Sequence, residues 1–403
     1  MDIDDTPEEA AFRAEARAWL EAHAIPKGHP DDFSSGVWSG EYDEDGYVAR
    51  CRIWQRTLYD GGWAGITWPK QFGGRGGKPI EQAIFNQEQA RFGVSTGAFM
   101  IAVGMAGPTI VAHGTPEQQQ RHLPGMLRGD DLWCQLFSEP DAGSDLAGLT
   151  TRATRDGDEW VISGQKVWTS ASERAAWGIL LARSDWDVPK HRGITYFLLD
   201  MATPGITIRP LRQMTGESHF SEVFLEDVRI PDANVLGEPG EGWRITQTTL
   251  TSERSSIAGG ANVDPGALAA LARQHGRNHD PVVRQAVARV HIQAELLRFL
   301  RYRTQTALSQ GRPPGQEASV MKLAHSRYMR ALTRTAVHIQ GAEGQLANGD
   351  MWRRRFLHAP SLSIAGGSDQ VQANIIGERA LGLPQEPRDD RDAPFRLTSH
   401  GHQ

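Results

Sequence analysis

The chain has 403 residues, with 43 Lys+Arg against 49 Asp+Glu and a formal net charge of −6. That balance excludes the clustered positive excess on which nucleic-acid binding rests, and the length predicts two or three domains with sizeable cores. No apolar run reaches the roughly 18 residues of a membrane span; WGILLA at 177–182, for example, is six residues long. The acidic, amphipathic start MDIDDTPEEAAFRAE fits neither a signal peptide nor an Arg-rich transit peptide. Two cysteines, Cys51 and Cys134, are too few for a disulfide framework. These features predict a soluble cytoplasmic protein.

Helical signals open the chain. Thr6, Pro7 and Glu9 form a capping-box pattern with proline at the first helical position. Phe12, Ala16, Trp19, Leu20 and Ala24 then recur at helical spacing, predicting an amphipathic helix over 6–24. Further helical patterns cover 45–62, 79–92 and 115–127, the last opening on Thr115-Pro116-Glu117, while GGRGGKP at 73–79 reads as a loop. Residues 1–130 thus read as an N-terminal helical domain.

From 131 to 235 the apolar period shifts towards two. Asp156-Gly157 is a hairpin signal, WVIS at 160–163 a strand, and Gly164-Gln165 a turn. Strand-like runs follow at 177–184, 193–200 and 205–211. In SEVFLEDVRIP (221–231), one extra residue interrupts the alternation, as a β-bulge does. The segment reads as a barrel-like middle β-domain. Over 236–384 the helical period returns. Val283, Val287, Val290, Ala294 and Leu297 form one stripe, and Val320, Leu323, Ala324, Tyr328, Ala331, Leu332, Ala336 and Ile339 another. With shorter helices over 243–258 and 369–380, these predict a C-terminal four-helix bundle. Residues 385–403 form a polar tail rich in Asp, Arg and His, expected to be disordered or wrapped on a partner. The fold class is α+β multidomain.

Several chemistries lack their pattern. No G-x-G-x-x-G follows a strand, and GGRGGK (73–78) fails as a phosphate loop: Phe72 stands at the first glycine and Pro79 at the Ser/Thr. There is no H-E-x-x-H, no paired C-x-x-C and no G-x-S-x-G, so neither a metal site nor a serine nucleophile is expected.

Three motifs remain. FSEPDAGSD (137–145) joins a short strand to a loop with two serine hydroxyls. GQKVWTSA (164–171) puts Trp168, Thr169 and Ser170 at a strand end, where an indole stacks on a flat ring and hydroxyls bond its edge. AGGSDQVQANIIGERALGLP (365–384) opens a helix on two glycines and Ser368, so that free N–H groups approach an oxygen closely. Singly, each has a plainer reading: a turn, a core tryptophan, a capped helix.

As a set, in this order and on this domain pattern, the motifs resemble the acyl-CoA dehydrogenase family over residues 6–384. ISGQKVWTS and EVFLEDVRIPDANVLGEPGEGW carry the resemblance too. It implies a helical–β–helical fold that binds FAD between the β-domain and the bundle, across a dimer contact. By matching positions it assigns Gln135, Phe137, Ser138 and Ser144 to flavin or acyl-CoA contacts. Trp168 and Ser170 fall beside the isoalloxazine ring, Ser170 towards its reactive nitrogen, and Ser368 and Gln370 at positions that reach the FAD. The implied reaction removes a proton next to a thioester carbonyl while the neighbouring carbon gives up a hydride. The Gly366 N–H is the implied donor to the carbonyl oxygen.

In much of the family the base is a glutamate at the position of Gly366. A subset carries it instead in the first helix of the C-terminal domain, where TTLTSERSSIAGG (248–260) supplies Glu253. Glu253 is therefore the expected base, against the plainer reading of a solvated Glu-Arg pair. The family's R-x-x-F-G segment reads RQHGRNHDPVVRQ (273–285), leaving Arg273 and Arg277 as candidates for the FAD pyrophosphate without the Phe-Gly pair. The Gln-x-x-Gly-Gly position reads HIQGAEG (338–344), with His338 and Ala342 at flavin-contact sites. The resemblance implies an acyl-CoA substrate, an electron-transfer flavoprotein as acceptor, and a homodimer, homotetramer or heterotetramer. Two alternatives stay open: a non-catalytic or half-catalytic subunit of a heteromeric dehydrogenase, and a flavin oxidase or monooxygenase on the same fold.

Overall fold

The computed structural model describes residues 4–36, 44–258, 265–312, 317–346, 351–387 and 391–398, the side chains of 254–258 excepted. The helices are α1 (Pro7–His23), α2 (Glu44–Asp60), α3 (Pro79–Gln89), α4 (Gly107–His113), α5 (Pro116–Arg128), α6 (Gly242–Ala258), α7 (Gly266–Gln274), α8 (Pro281–Ser309), α9 (Glu317–Gln340), α10 (Glu343–Leu346), α11 (Met351–Leu362) and α12 (Asp369–Ile375). The strands are β1 (Trp133–Leu136), β2 (Arg152–Asp156), β3 (Glu159–Ser170), β4 (Trp177–Arg183), β5 (Ile194–Asp200), β6 (Ile206–Leu211) and β7 (Phe220–Pro231). They divide into two compact units. A bundle unit comprises 1–51, 77–95 and 254–384, and a sheet unit 52–76, 96–253 and 385–403.

In the sheet unit, the strand order is β1-β4-β2-β3-β7-β6, with β5 paired to β4. The alternation of β4 and β5 fills two cores, because successive side chains leave opposite faces of a strand. Ile179, Leu181, Tyr196 and Leu198 join Leu123, Met126 and Ile245 on the helical side. Leu180, Ala182, Phe197 and Leu199 join Trp160, Val223 and Leu225 on the other. Burial on both faces explains why these strands read as unbroken apolar runs.

One sequence expectation changes in this sheet and one holds. Gly164-Gln165 is not a turn: β3 runs on to Ser170, and Gly164 (φ 158) sits at a register shift against β7. A side chain there would meet Thr151, its Cβ 2.5 Å from Thr151 Oγ1, so the glycine allows close strand approach. The expected bulge in β7 is present opposite it, with Asp227 at φ 51.

The polar tail is also ordered over 391–398. Phe395 is fully buried, its N–H donates to Val188 O, and the Arg396 N–H donates to Trp186 O. The Arg183 guanidinium lies 3.5 Å above the Phe395 ring and donates to Leu149 O and Ala147 O. One aromatic residue in a charged segment was enough to anchor it, which composition alone concealed. Residues 388–390 and 399–403 lie outside the described residues.

In the bundle unit, α1 starts as its sequence dictates: Thr6 Oγ1 accepts from the Glu9 N–H and Glu9 Oε2 from the Thr6 N–H. Buried Glu88 on α3 accepts from Arg13 and Arg17 of α1 and from Arg91. Burial alone would raise its pKa, but the three arginines outweigh it and hold it at about 2. Val283, Val290 and Leu297 of α8 pack with Tyr328, Leu332, Ala336 and Ile339 of α9, beside Leu271 and Trp352. Helix α12 stops at Ile375 and continues as a π-turn over Ile376–Ala380, shorter than the α-helix expected over 369–380.

Candidate active site

In the sheet unit, β1 leads directly into the FSEPDAGSD loop, and a buried lysine ties that loop to β3. Lys166 Nζ donates to Phe137 O at 3.0 Å and to Glu139 Oε1 at 2.7 Å. The Val167 N–H donates to Ser138 O at 2.9 Å. Glu139 also accepts from the N–H groups of Thr150 and Thr151 and from the Thr150 hydroxyl. Burial would raise the Glu139 pKa, yet the Lys166 charge and these donors prevail and bring it down to about 2. Two of the three motifs are thus locked together by residues within them, Glu139 and Lys166, that sequence reasoning passed over.

The end of β3 has unusual backbone. Trp168 (φ 60) and Ala171 (φ 56) sit in the left-handed region, a costly conformation for residues with a Cβ. The turn flips Trp168 outward, leaving it 60% exposed with an edge contact to Phe220. Thr169 next to it is fully buried, and its Oγ1 has no hydrogen-bond partner among the described residues. The exposed indole offers a flat face on which a ring can stack. Ser138 and Ser170 are half-buried, Phe137 is buried, and Ser144 is exposed.

Glu253 is half-buried near the end of α6, and Gln135 Nε2 of β1 donates to its Oε2 at 3.5 Å. One turn earlier on the same helix face, Thr249 Oγ1 lies 2.9 Å from Thr109 Oγ1 and 3.1 Å from the Tyr196 hydroxyl. All three are fully buried. His113 Nε2 meets Thr248 Oγ1 at 2.8 Å. This network fixes the rotation of α6 and leaves Glu253, half-buried, on the helix face that meets Gln135. The side chain of Arg254 and residues 259–260 lie outside the described residues.

In the bundle unit, Gly366 (φ 64) and Gly367 (φ 84) take left-handed conformations before Ser368, whose Oγ caps α12 by accepting from the Val371 N–H. Gln370 is exposed on the first turn. Arg277 is committed locally, donating to His338 O at 2.5 Å and to Asp280 Oδ2 at 2.8 Å. Arg273, the His338 side chain and Ala342 are exposed. Among the described residues, no helix is long and apolar enough to cross a membrane.

Family models for the N-terminal, middle and C-terminal domains of acyl-CoA dehydrogenase match residues 6–130, 134–228 and 240–381. The chain belongs to the acyl-CoA dehydrogenase family. It is therefore an oxidoreductase that acts on acyl-CoA, in a family of flavoproteins. The three-part acyl-CoA dehydrogenase architecture, helical, curled sheet, helical, is the α+β multidomain fold expected from the sequence.

Among relatives, the acyl-CoA dehydrogenase IpdE1 of Mycolicibacterium smegmatis is 36% identical over 394 residues, covering 93% of this chain and 98% of that protein. The acyl-CoA dehydrogenase FadE34 of Mycobacterium tuberculosis is 43% identical over 331 residues, or 82% of this chain; the match spans only 46% of that longer protein. Among solved structures, the Tcur3481-Tcur3483 steroid ACAD superposes with a TM-score of 0.80 at 30% identity, covering 96% of this chain and 100% of that one.

Proposed function

We propose that the protein catalyses FAD-dependent α,β-dehydrogenation of an acyl-CoA thioester to the trans-2-enoyl-CoA, with Glu253 as the base. The observation that carries this reading is the placement of the Glu253 carboxylate beside Gln135, at the end of the strand that enters the FSEPDAGSD loop. By the family's motif positions, Phe137, Ser138, Trp168, Thr169 and Ser170 would hold the flavin, with Ser368 and Gln370 as further candidates. When bound, FAD supplies the acceptor for the hydride leaving the β-carbon.

Glu253 takes the α-proton onto its carboxylate and ends the step as the neutral acid. A C–H next to a thioester is a weak acid, so negative charge developing on the carbonyl oxygen needs preorganised donors. The Gly366 N–H is assigned that task. The Thr249–Tyr196–Thr109 network holds Glu253 still, which keeps the base within reach of one carbon.

The likeness to a steroid ACAD favours a bulky, steroid-type acyl group, with electrons passing on to an electron-transfer flavoprotein. A heteromeric assembly is the second reading. It is supported by the missing Phe-Gly pair after Arg273 and by the local commitment of Arg277, which takes one of the two candidate arginines away from the pyrophosphate. Anaerobic titration with fatty, branched and steroid-type acyl-CoAs tests the activity, following flavin absorbance. Bleaching by at least one thioester is expected, strongest for the steroid type; a flavin-loaded protein that none of them bleaches refutes the reading. Flavin content that rises several-fold on co-expression with a second, related chain is the heteromer's signature, and full flavin in the lone chain contradicts it.

A further inference from the structure

The GGSD loop at the start of α12 is clamped from one side by three buried side chains of the bundle unit. Gln372 Nε2 donates to Gly366 O at 2.8 Å, and Lys322 Nζ donates to Gly367 O at 2.6 Å. Ser326 Oγ donates to Asp369 Oδ1 at 2.7 Å, and Lys322 Nζ lies 3.6 Å from the same oxygen. Lys322 is only 2% exposed, and Ser326 and Gln372 are fully buried. A charged lysine placed so deep must be held by oxygens that stay in place. Here one of them is a backbone carbonyl, not only a carboxylate.

The peptide unit is planar and trans, so a carbonyl and the N–H that follows it point in opposite directions. Drawing the Gly366 carbonyl to Gln372 turns the Gly367 N–H the other way, and drawing the Gly367 carbonyl to Lys322 does the same for Ser368. Among the described residues, the N–H groups of Gly366, Gly367 and Ser368 have no acceptor. A Cβ at Gly367 would lie 2.6 Å from Gln372 Nε2, so the closeness of clamp and loop depends on glycine. The carbonyls of Gly366 and Gly367 are satisfied on one side, and the Gly367 and Ser368 N–H groups across the same two peptide planes point away from the clamp, next in the chain to the Gly366 N–H.

We propose that Lys322 is a positioning residue for the dehydrogenation: it holds the Gly367 carbonyl and Asp369 so that the donors of Gly366–Ser368 stay aimed at the thioester oxygen. This rests on the assignment of Gly366 as the carbonyl donor and adds the device that preorganises it. Lys322 touches neither substrate nor flavin; its ammonium acts through the loop.

The test compares wild type with Lys322→Met, Lys322→Arg and Ser326→Ala in two measurements. The first is amide hydrogen exchange of the 363–371 segment, which needs no flavin. Lys322→Met should speed it about tenfold or more, Ser326→Ala less, and Lys322→Arg should restore much of the protection. Exchange in α8 should not change. The second uses flavin-loaded protein and a 3-thia-acyl-CoA, which can lose its α-proton but has no β-hydrogen to give. Its deprotonation appears as a long-wavelength absorbance. That band should weaken at least tenfold in Lys322→Met while flavin content is unchanged, a loss that a merely structural lysine would not produce.

Exchange and band both equal to wild type in Lys322→Met overturn the proposal. Should that variant not fold, Ser326→Ala decides in the same way, with about a threefold effect expected and none contradicting. A wild-type protein that binds the analogue without any band refutes the carbonyl-donor assignment itself, whereas exchange still reports on the clamp.

Discussion

At the scale of single residues, the buried Glu139–Lys166 pair matters most to the sheet-side motifs. It joins the carbonyl of Phe137 to β3, and removing one member leaves the other charge buried without its partner. Glu139→Gln should therefore lower stability by about 3 kcal/mol in denaturant titration, and flavin retention with it. The sign of the pH effect follows from the depressed pKa. The folded value of about 2 lies below the ordinary 4.5, so the contribution is complete above pH 4.5 and fades as pH falls towards 2. In Glu139→Gln that acid limb should flatten; an unchanged limb would place the acid sensitivity elsewhere. Trp168 illustrates the opposite case, a residue whose left-handed backbone and exposure serve no core.

At the scale of elements, the tail makes the sharpest prediction. Phe395→Ala removes the ring that fills its pocket and stacks under Arg183, and should cost about 3 kcal/mol or more in unfolding free energy. A loss under about 0.5 kcal/mol, the usual range of surface changes, would show that the tail merely rests on the sheet. The same segment shows where reading a sequence succeeds and where it stops. The starts of helices α1 and α5 were legible because Thr-Pro-Glu fixes them locally, and β4 and β5 because long apolar runs admit few alternatives. Gly164 looked like a turn since nothing local reveals that β7 pairs across it. Phe395, Lys166 and Lys322 were invisible for a related reason: each is explained only by partners 27 or more residues away. Motif residues could be matched to a family by position, but the side chains that hold them could not.

At the scale of the whole molecule, the order helical, β, helical put the family within reach before any coordinates, while the clamps behind the motifs came only from the fold. Acid should weaken the protein in two stages. His122 is buried against Trp133 and Trp177, and burial, with Arg121 nearby, lowers its pKa to about 4. Its folded pKa lies below the ordinary 6.5, so its contribution is complete above pH 6.5 and is lost as pH falls towards 4. Stability should then drop by about 1.4 kcal/mol per pH unit in that window from this residue alone, before the carboxylates respond. Denaturant titrations of wild type and His122→Gln across that range should differ in slope by this amount; parallel curves would exclude His122 as the source.

The chemistry turns on one carboxylate, and the rate of a single turnover reads it directly. With flavin-loaded protein mixed anaerobically with a saturating acyl-CoA, Glu253→Gln should reduce its flavin at least about a thousandfold more slowly than wild type. Glu253→Asp should fall between the two, with ligand affinity nearly unchanged in both variants. Reduction of Glu253→Gln within about threefold of the wild-type rate would contradict the account and assign proton removal to another group.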